Sequence, residues 1–261
     1  MNLRPMLAAL AAVMLASVAH AEDAPICTDR PTKANAVCTV PAGKVQIETS
    51  AIGWNLTEVA GTRSELVTLG SSFAKLGLSA NSDLQIGFTP LAWLTIKSGG
   101  ERDRISGVGD VVVRYKRRLT NDGARVQVGV IPFVKLPTAS RLGNGTLEGG
   151  LAVPVSIAAG TATITFGPEI DLLADGDGAG YHPALVNLVN VALPAAPRLT
   201  LIGELWTNFN LDPAGTLKQV SADAALAYAA SNRLQFDVGA NFGLTRDTPD
   251  VEISAGASLR F

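Results

Sequence analysis

Apolar and polar residues alternate with a period of two along most of the chain. From Leu234 to Leu244, every second residue is apolar, and polar residues or glycine lie between them. The final segment, Val251 to Phe261, repeats the pattern with the opposite parity, as do residues 84–94 and 162–172 with their own parities. A period of two places successive side chains on opposite faces of a β-strand. The pattern therefore predicts amphipathic strands.

Turn residues divide the chain into twelve such segments. They lie near residues 44–56, 63–79, 82–97, 106–119, 124–136, 147–158, 161–173, 181–193, 198–211, 216–230, 232–245 and 250–261. Most are longer than the roughly 9–11 residues that a tilted strand needs to cross a bilayer. The second, sixth and eighth segments alternate poorly, so the direction in which their side chains face stays open.

The connections between segments fall into two interleaved sets. One set is short, for example residues 80–81, 121–123 and 231–232, and the other is mostly longer and polar, for example residues 98–105, 137–146 and 174–180. This asymmetry is typical of outer-membrane barrels. We therefore predict an all-β fold, a transmembrane antiparallel up-and-down β-barrel of about 12 strands over residues 44–261. A soluble β-sandwich explains the alternation equally well, but it accounts less well for the long strands, the loop asymmetry and the terminal Phe261.

Composition narrows the possible partners. The net charge is −2 and charged residues make up 17% of the chain, so no basic surface indicates nucleic-acid binding. Beyond the first residues, no apolar run approaches the roughly 18 residues of a membrane-spanning helix. We expect outer-membrane lipid around the barrel, a small-molecule solute inside it and no nucleic acid. The last strand, ending in Phe261, resembles the signature read by the barrel-insertion machinery.

The amino terminus predicts export. Arg4 precedes a short apolar stretch, and Ala19-His20-Ala21 matches a cleavage signal. We therefore expect a signal peptide over residues 1–21 and a periplasmic N-terminal lead-in over 22–43. Cys27 and Cys38 favour a disulfide in that oxidising compartment. A redox or metal pair is the weaker alternative, because the spacing is not C-x-x-C and no mature histidine lies nearby.

Strand parity predicts which charged side chains face the lumen. One wall is mainly basic and the other mainly acidic, and the candidate lumen-lining residues are Asp110, Arg114, Lys116, Arg125, Gln127, Lys135, Glu148, Glu169, Asp171, Glu204 and Asp237. Opposed charged walls favour the passage of polar or zwitterionic solutes. Alternatively, these charges pair within a filled lumen and only stabilise the barrel. Twelve strands do not decide between an open and a filled lumen.

Candidate catalytic and metal-binding residues are few. His182 is the only histidine after the predicted cleavage site, which excludes a multi-histidine metal site. It could serve a serine–histidine–acid hydrolase, but no G-x-S-x-G element accompanies it. Asp175-Gly176-Asp177-Gly178 lacks the spacing and terminal glutamate of a calcium loop. We predict no catalytic residue, no metal and no cofactor.

Several short motifs resemble one known family. They are Asp29-Arg30-Pro31-Thr32, Thr39 to Gly43 (TVPAG), Asp83 to Pro90 (DLQIGFTP), Gly109-Asp110-Val111, Pro132 to Pro137 (PFVKLP) and Gly145 to Gly150 (GTLEGG). In this order they resemble the outer-membrane transporters grouped under the meta-pathway of phenol degradation. The resemblance spans most of the mature chain. It implies an outer-membrane barrel that takes up aromatic or other small organic solutes, and it brings no catalytic residues.

The sequence therefore predicts a non-enzymatic protein of the Gram-negative outer membrane. Its expected function is passive uptake of small organic solutes through a porin-like channel, because no nucleotide site is present. Two alternatives stay open. One is a barrel-embedded lipid hydrolase that depends on His182, and the other is a structural barrel with a plugged lumen.

Overall fold

The computed structural model describes residues 24–139 and 141–261. The predicted signal peptide, residues 1–21, lies outside the described residues. None of the described residues belongs to a helix long and apolar enough to cross a membrane.

Strands account for most of the described chain. They are β1 (Val45–Val59), β2 (Thr62–Ser79), β3 (Ser82–Phe88), β4 (Leu91–Ser98), β5 (Glu101–Gly107), β6 (Val111–Arg118), β7 (Val126–Leu136), β8 (Glu148–Ala152), β9 (Val155–Ala159), β10 (Ala162–Phe166), β11 (Glu169–Ala174), β12 (Tyr181–Ala196), β13 (Leu199–Asn210), β14 (Leu217–Ser231), β15 (Leu234–Gly243) and β16 (Val251–Arg260).

Four pairs of consecutive segments are each one long strand with a break. The breaks after β3, β8 and β10 contain Pro90, Pro154 and Pro168, respectively. Proline has no N–H to donate to a neighbouring strand, so it interrupts the ladder of hydrogen bonds. The fourth break, between β5 and β6, lies beside the first, where the Gly109 amide donates to the Thr89 carbonyl at 2.8 Å. Joined in this way, the sixteen segments form twelve antiparallel strands, as predicted.

The sheet closes on itself through β1, which pairs with both β2 and β16. Closure leaves no edge between the first and last strands, as a barrel in lipid requires. The turn end of the barrel carries the connections 80–81, 119–125, 160–161, 197–198 and 232–233, of which all but 119–125 are two residues long. The loop end carries the longer connections 137–147, 175–180, 211–216 and 244–250. Residues 98–105, predicted to be a loop, instead belong to the β4–β5 hairpin, which turns at two glycines with positive φ.

The predicted facing of the side chains is confirmed in the last strands. In β15, Phe236 is 50% exposed, whereas Asp237 is 7% exposed. Phe261 follows β16 and is exposed like the outward residues of that strand. An apolar exterior and a polar interior are the arrangement of a barrel in lipid.

Strand β12 explains why one segment could not be oriented from its sequence. Its exposed residues include Leu185 and Val189, but its buried, inward residues include Val186 and Leu188. Both faces of this strand are apolar, so alternation is lost although the strand is regular. Part of the interior is therefore apolar.

Candidate functional site

The interior of the barrel holds the N-terminal segment, defined here as residues 24–43. Sequence alone predicted a periplasmic lead-in over residues 22–43, and its compartment stays a prediction. The structure places it inside the barrel, because its charged side chains contact inward-facing residues of several strands. The predicted disulfide between Cys27 and Cys38 is present, with 6.2 Å between the two Cα atoms. The disulfide closes a loop, residues 27–38, whose side chains contact the barrel interior.

Asp29 joins the N-terminal segment to the basic wall. Its carboxylate lies 2.6 Å from Lys116 Nζ, 2.6 Å from Lys75 Nζ and 3.0 Å from Arg114 Nη2. We call Lys75, Arg114 and Lys116 the basic cluster. Burial opposes ionisation of Asp29, but the charges of Lys116, Lys75 and Arg114 hold its pKa well below the ordinary value. Asp29 is therefore a carboxylate at neutral pH.

Arg30 and Lys33 join the same segment to the acidic wall. The guanidinium of Arg30 donates to Asp237 Oδ1 at 2.7 Å. Lys33 Nζ lies 3.3 Å from Asp223 and 3.0 Å from Glu252. We call Glu204, Asp223, Asp237 and Glu252 the acidic cluster.

Backbone amides add to this contact. The amides of Lys33 and Ala34 donate to the two carboxylate oxygens of Glu204, at 2.9 and 3.0 Å. Hydrogen bonds to a charged acceptor are stronger than those between neutral groups. The N-terminal segment thus places a negative charge against the basic cluster and two positive charges against the acidic cluster.

Two cavities lie within the barrel, on either side of the N-terminal segment. The upper cavity, toward the loop end, has a volume of about 630 Å³, and the lower cavity, toward the turn end, about 520 Å³. Both are lined by five of the same residues, namely Asp29, Arg30, Thr32, Ala34 and Asn35. The N-terminal segment is therefore the partition between the two cavities.

The two cavities differ in chemistry. Phe73, Phe133 and Trp206 line the upper cavity together with the apolar inward residues of β12. Arg114 lies 4.0 Å from the centre of the Phe73 ring, and Lys33 lies 4.9 Å from the centre of the Trp206 ring. The lower cavity is lined mainly by small and polar side chains. The upper cavity can therefore contact a ring on its apolar sides and a polar group on its charged side.

The structure places the predicted lumen residues in four positions. Asp110, Arg114, Glu169 and Asp171 line the upper cavity, and Arg125 and Gln127 line the lower cavity. Lys116, Glu204 and Asp237 contact the N-terminal segment. Lys135 lies between Asp110 and Glu148 near the loop end, at 3.2 and 3.1 Å.

Sequence reasoning missed Asp29, Arg30, Lys33 and Lys75. The sequence feature that could have indicated the first three is the charged stretch DRPTK. It precedes a barrel that has one mainly basic and one mainly acidic wall. Lys75 lies in β2, where poor alternation hid its inward direction; it is 2% exposed.

His182 also faces the interior, near the loop end. It is 4% exposed, and its Nδ1 lies 2.8 Å from Asp175 Oδ1. Its Nε2 has no hydrogen-bond partner among the described residues.

Comparison with known families identifies the chain. The model of the family described as "Putative MetA-pathway of phenol degradation" matches residues 28–261. The chain belongs to this family. The match begins just before Asp29, so it includes the partition as well as the strands. The sequence has no significant match among curated proteins.

Solved structures with the same fold include outer-membrane channels. The COG4313 outer membrane channel from Pseudomonas putida F1 superposes with a TM-score of 0.69 at 12% identity, covering 88% of this chain and 100% of that one. The translocator domain of autotransporter NalP from Neisseria meningitidis gives a TM-score of 0.56 at 13% identity, covering 86% and 91%. The NanC porin gives 0.53 at 9% identity, covering 82% and 98%. At these identities the likeness concerns the fold.

Proposed function

We propose that this family member is an outer-membrane channel for the passive diffusion of small organic solutes. The observation that carries the proposal is the pair of cavities on either side of the N-terminal segment. A structural barrel needs no internal space, and its lumen could be filled by side chains alone. Here more than 1,000 Å³ of cavity is kept inside the barrel, on both sides of one thin partition.

The proposal includes the route by which the protein reaches its membrane. Export would follow signal-peptide cleavage near residue 21, and the last strand would be read by the barrel-insertion machinery through Phe261. The exposed apolar row of β16, which includes Ile253 and Leu259, would then lie against outer-membrane lipid. In this orientation the turn end faces the periplasm, and the N-terminal segment enters the barrel from that side.

The lining of the upper cavity supports aromatic solutes as the favoured class. Phe73, Phe133 and Trp206 offer ring surfaces, and aromatic pairs contribute about 0.5–1.5 kcal/mol beyond the burial of their area. The cavity is also lined by the guanidinium of Arg114 and the carboxyl groups of Glu169 and Asp171, which can bind the polar group of a substituted ring. This combination agrees with the family description.

The contacts of His182 give the hydrolase alternative no support. A serine–histidine–acid enzyme requires a hydroxyl hydrogen-bonded to the nitrogen opposite the acid. Asp175 occupies the position of the acid, but Nε2 meets no hydroxyl within hydrogen-bond distance in the described part of the chain.

Swelling of proteoliposomes tests the channel. Glycine and phenylalanine are suitable probes, because both are zwitterions that cross lipid slowly and only one carries a ring. We expect swelling with glycine that depends on the folded protein and is absent with heat-unfolded protein. If folded protein produces no swelling with glycine, the channel proposal is wrong.

One substitution tests the aromatic preference separately. Trp206→Leu keeps an apolar side chain in the upper cavity but removes the ring, so the phenylalanine rate relative to the glycine rate should fall about two- to tenfold. Phe236→Leu is the matched control, because Phe236 is an aromatic residue on the exterior. If the ratio of the phenylalanine rate to the glycine rate is unchanged in Trp206→Leu, the aromatic preference is wrong. The proposal that the protein is a channel would not be affected.

A further inference from the structure

Two neighbouring connections at the loop end bring three metal-binding side chains together. Asp175 lies in the connection 175–180, His182 follows in β12, and Asp212 lies in the connection 211–216. One ring nitrogen of His182 and one oxygen of each carboxylate lie within 4.8 Å of one another. We call these residues the rim triad. Sequence spacing could not show it, because Asp212 comes from a different connection.

Backbone contacts hold Asp212 in place. Its Oδ1 accepts a hydrogen bond from the Ala214 amide at 2.8 Å, and its Oδ2 accepts one from the Gly176 amide at 2.9 Å. These two hydrogen bonds fix the orientation of the Asp212 carboxyl group. The Gly176 contact also joins the two connections to each other.

The rim triad carries negative charge without a cation to balance it. In the described part of the chain, no lysine or arginine forms a salt bridge with Asp175 or Asp212. His182 is 4% exposed and hydrogen-bonds to Asp175 through Nδ1, while its Nε2 has no partner among the described residues. Nδ1 is the ring nitrogen that faces a carboxylate of the rim triad.

From this geometry we infer that the rim triad binds one divalent transition-metal ion of the Zn²⁺ class. Imidazole nitrogen and carboxylate oxygen are both ligands of Zn²⁺, and three protein ligands leave a fourth position for water. Binding of the ion through Nδ1 would replace the hydrogen bond between Nδ1 and Asp175 Oδ1. Imidazole is a poor ligand for Ca²⁺, which prefers oxygen alone. The bound ion fixes the connection 175–180 to the connection 211–216 at the mouth of the barrel.

Isothermal titration of refolded protein with Zn²⁺ tests this inference. The protein should carry no histidine tag and be free of lipopolysaccharide, so that neither supplies another metal site. We expect saturable binding of one ion per chain. His182→Gln and Asp212→Asn should each weaken it by at least about tenfold, as loss of a metal ligand does, and Ca²⁺ should bind at least tenfold more weakly than Zn²⁺.

The matched control is Asp177→Asn. Asp177 lies in the same connection as Asp175, is exposed and is not part of the rim triad, so this variant should bind Zn²⁺ like the unmodified protein. Using ligand variants from strand β12 and from the connection 211–216 guards against local misfolding at either place. Absence of saturable Zn²⁺ binding would overturn the inference, as would unchanged affinity in both His182→Gln and Asp212→Asn. This outcome is independent of whether the protein conducts solutes.

Discussion

At the scale of single residues, Asp29 is the most heavily bonded side chain of the N-terminal segment. It accepts from all three members of the basic cluster, and its Oδ1 also accepts the Ala36 amide at 2.8 Å. Removing one partner from a buried charge group is costly, because the other charges stay buried without compensation. Asp29 therefore contributes strongly to holding the segment inside the barrel.

Replacing Asp29 by asparagine should release the N-terminal segment. Loss of one partner of a buried ion pair costs about 3–5 kcal/mol, and 3 kcal/mol corresponds to about a hundredfold change in the open population. We expect trypsin to cleave after Lys33 about a hundredfold faster in Asp29→Asn while the strands stay intact. Limited proteolysis of the refolded protein, followed by mass spectrometry, measures this rate.

Asp122→Asn is the control for that experiment. Asp122 also forms a salt bridge, with Arg118, but its side chain is 89% exposed in a connection at the turn end. Exposed ion pairs contribute little, so cleavage after Lys33 should be unchanged. Equal cleavage rates in Asp29→Asn and the unmodified protein would show that Asp29 does not hold the segment.

The sequence could predict the wall residues of the site but not their partners. Arg114, Lys116, Glu204 and Asp237 face inward because strand parity determines their direction. Their contacts with the N-terminal segment join residues far apart in the chain; Arg30 and Asp237 are separated by 207 positions. Nothing local in the stretch DRPTK requires it to fold back into the barrel.

At the scale of elements, the closing pair β1–β16 accommodates the N-terminal segment through one glycine. A Cβ atom at Gly256 would lie 2.0 Å from the Thr49 carbonyl oxygen and 2.6 Å from Arg30 Nη2. The register of β1 against β16 shifts at the same place, between Ser50 and Ile52. Gly256 therefore leaves room both for the partner strand and for the guanidinium that binds the acidic cluster.

Gly256→Val should destabilise the closed barrel. Overpacking of this kind lowers the free energy of unfolding by about 1–3 kcal/mol. Here the added side chain would clash with the Thr49 carbonyl oxygen, and backbone cannot move aside as a flexible side chain can. We expect the temperature at which the folded band is lost on semi-native gels to fall. Ala257→Val is the control, since Ala257 belongs to the outward row of β16, and it should leave that temperature nearly unchanged. Equal temperatures for the two variants would contradict the close contact at Gly256.

Strand number and most boundaries were predictable at this scale, because turn residues and alternation are local signals. The breaks within four of the strands were not, although three of them contain a proline. A proline in a long alternating segment indicates either a turn or an interrupted strand. Only pairing with the neighbouring strands distinguishes the two.

At the scale of the whole molecule, the barrel and its N-terminal segment have separate roles. The strands form a closed wall through their own hydrogen bonds, and the first strand begins at Val45. The N-terminal segment contributes the partition between the two cavities and complements the charge of both walls. The size and charge of any passage through the barrel therefore depend on residues that precede the first strand as well as on the wall.

Single-channel conductance of a variant lacking residues 24–38 tests this account most directly. The deletion removes both cysteines and every contact with the basic and acidic clusters, but it leaves Val40, whose amide donates to Asp83, and all strands. The variant should still form a folded barrel, and its conductance in planar bilayers should rise several-fold over that of the intact mature chain. A folded deletion variant with the conductance of the intact protein would contradict the claim that the N-terminal segment partitions the lumen.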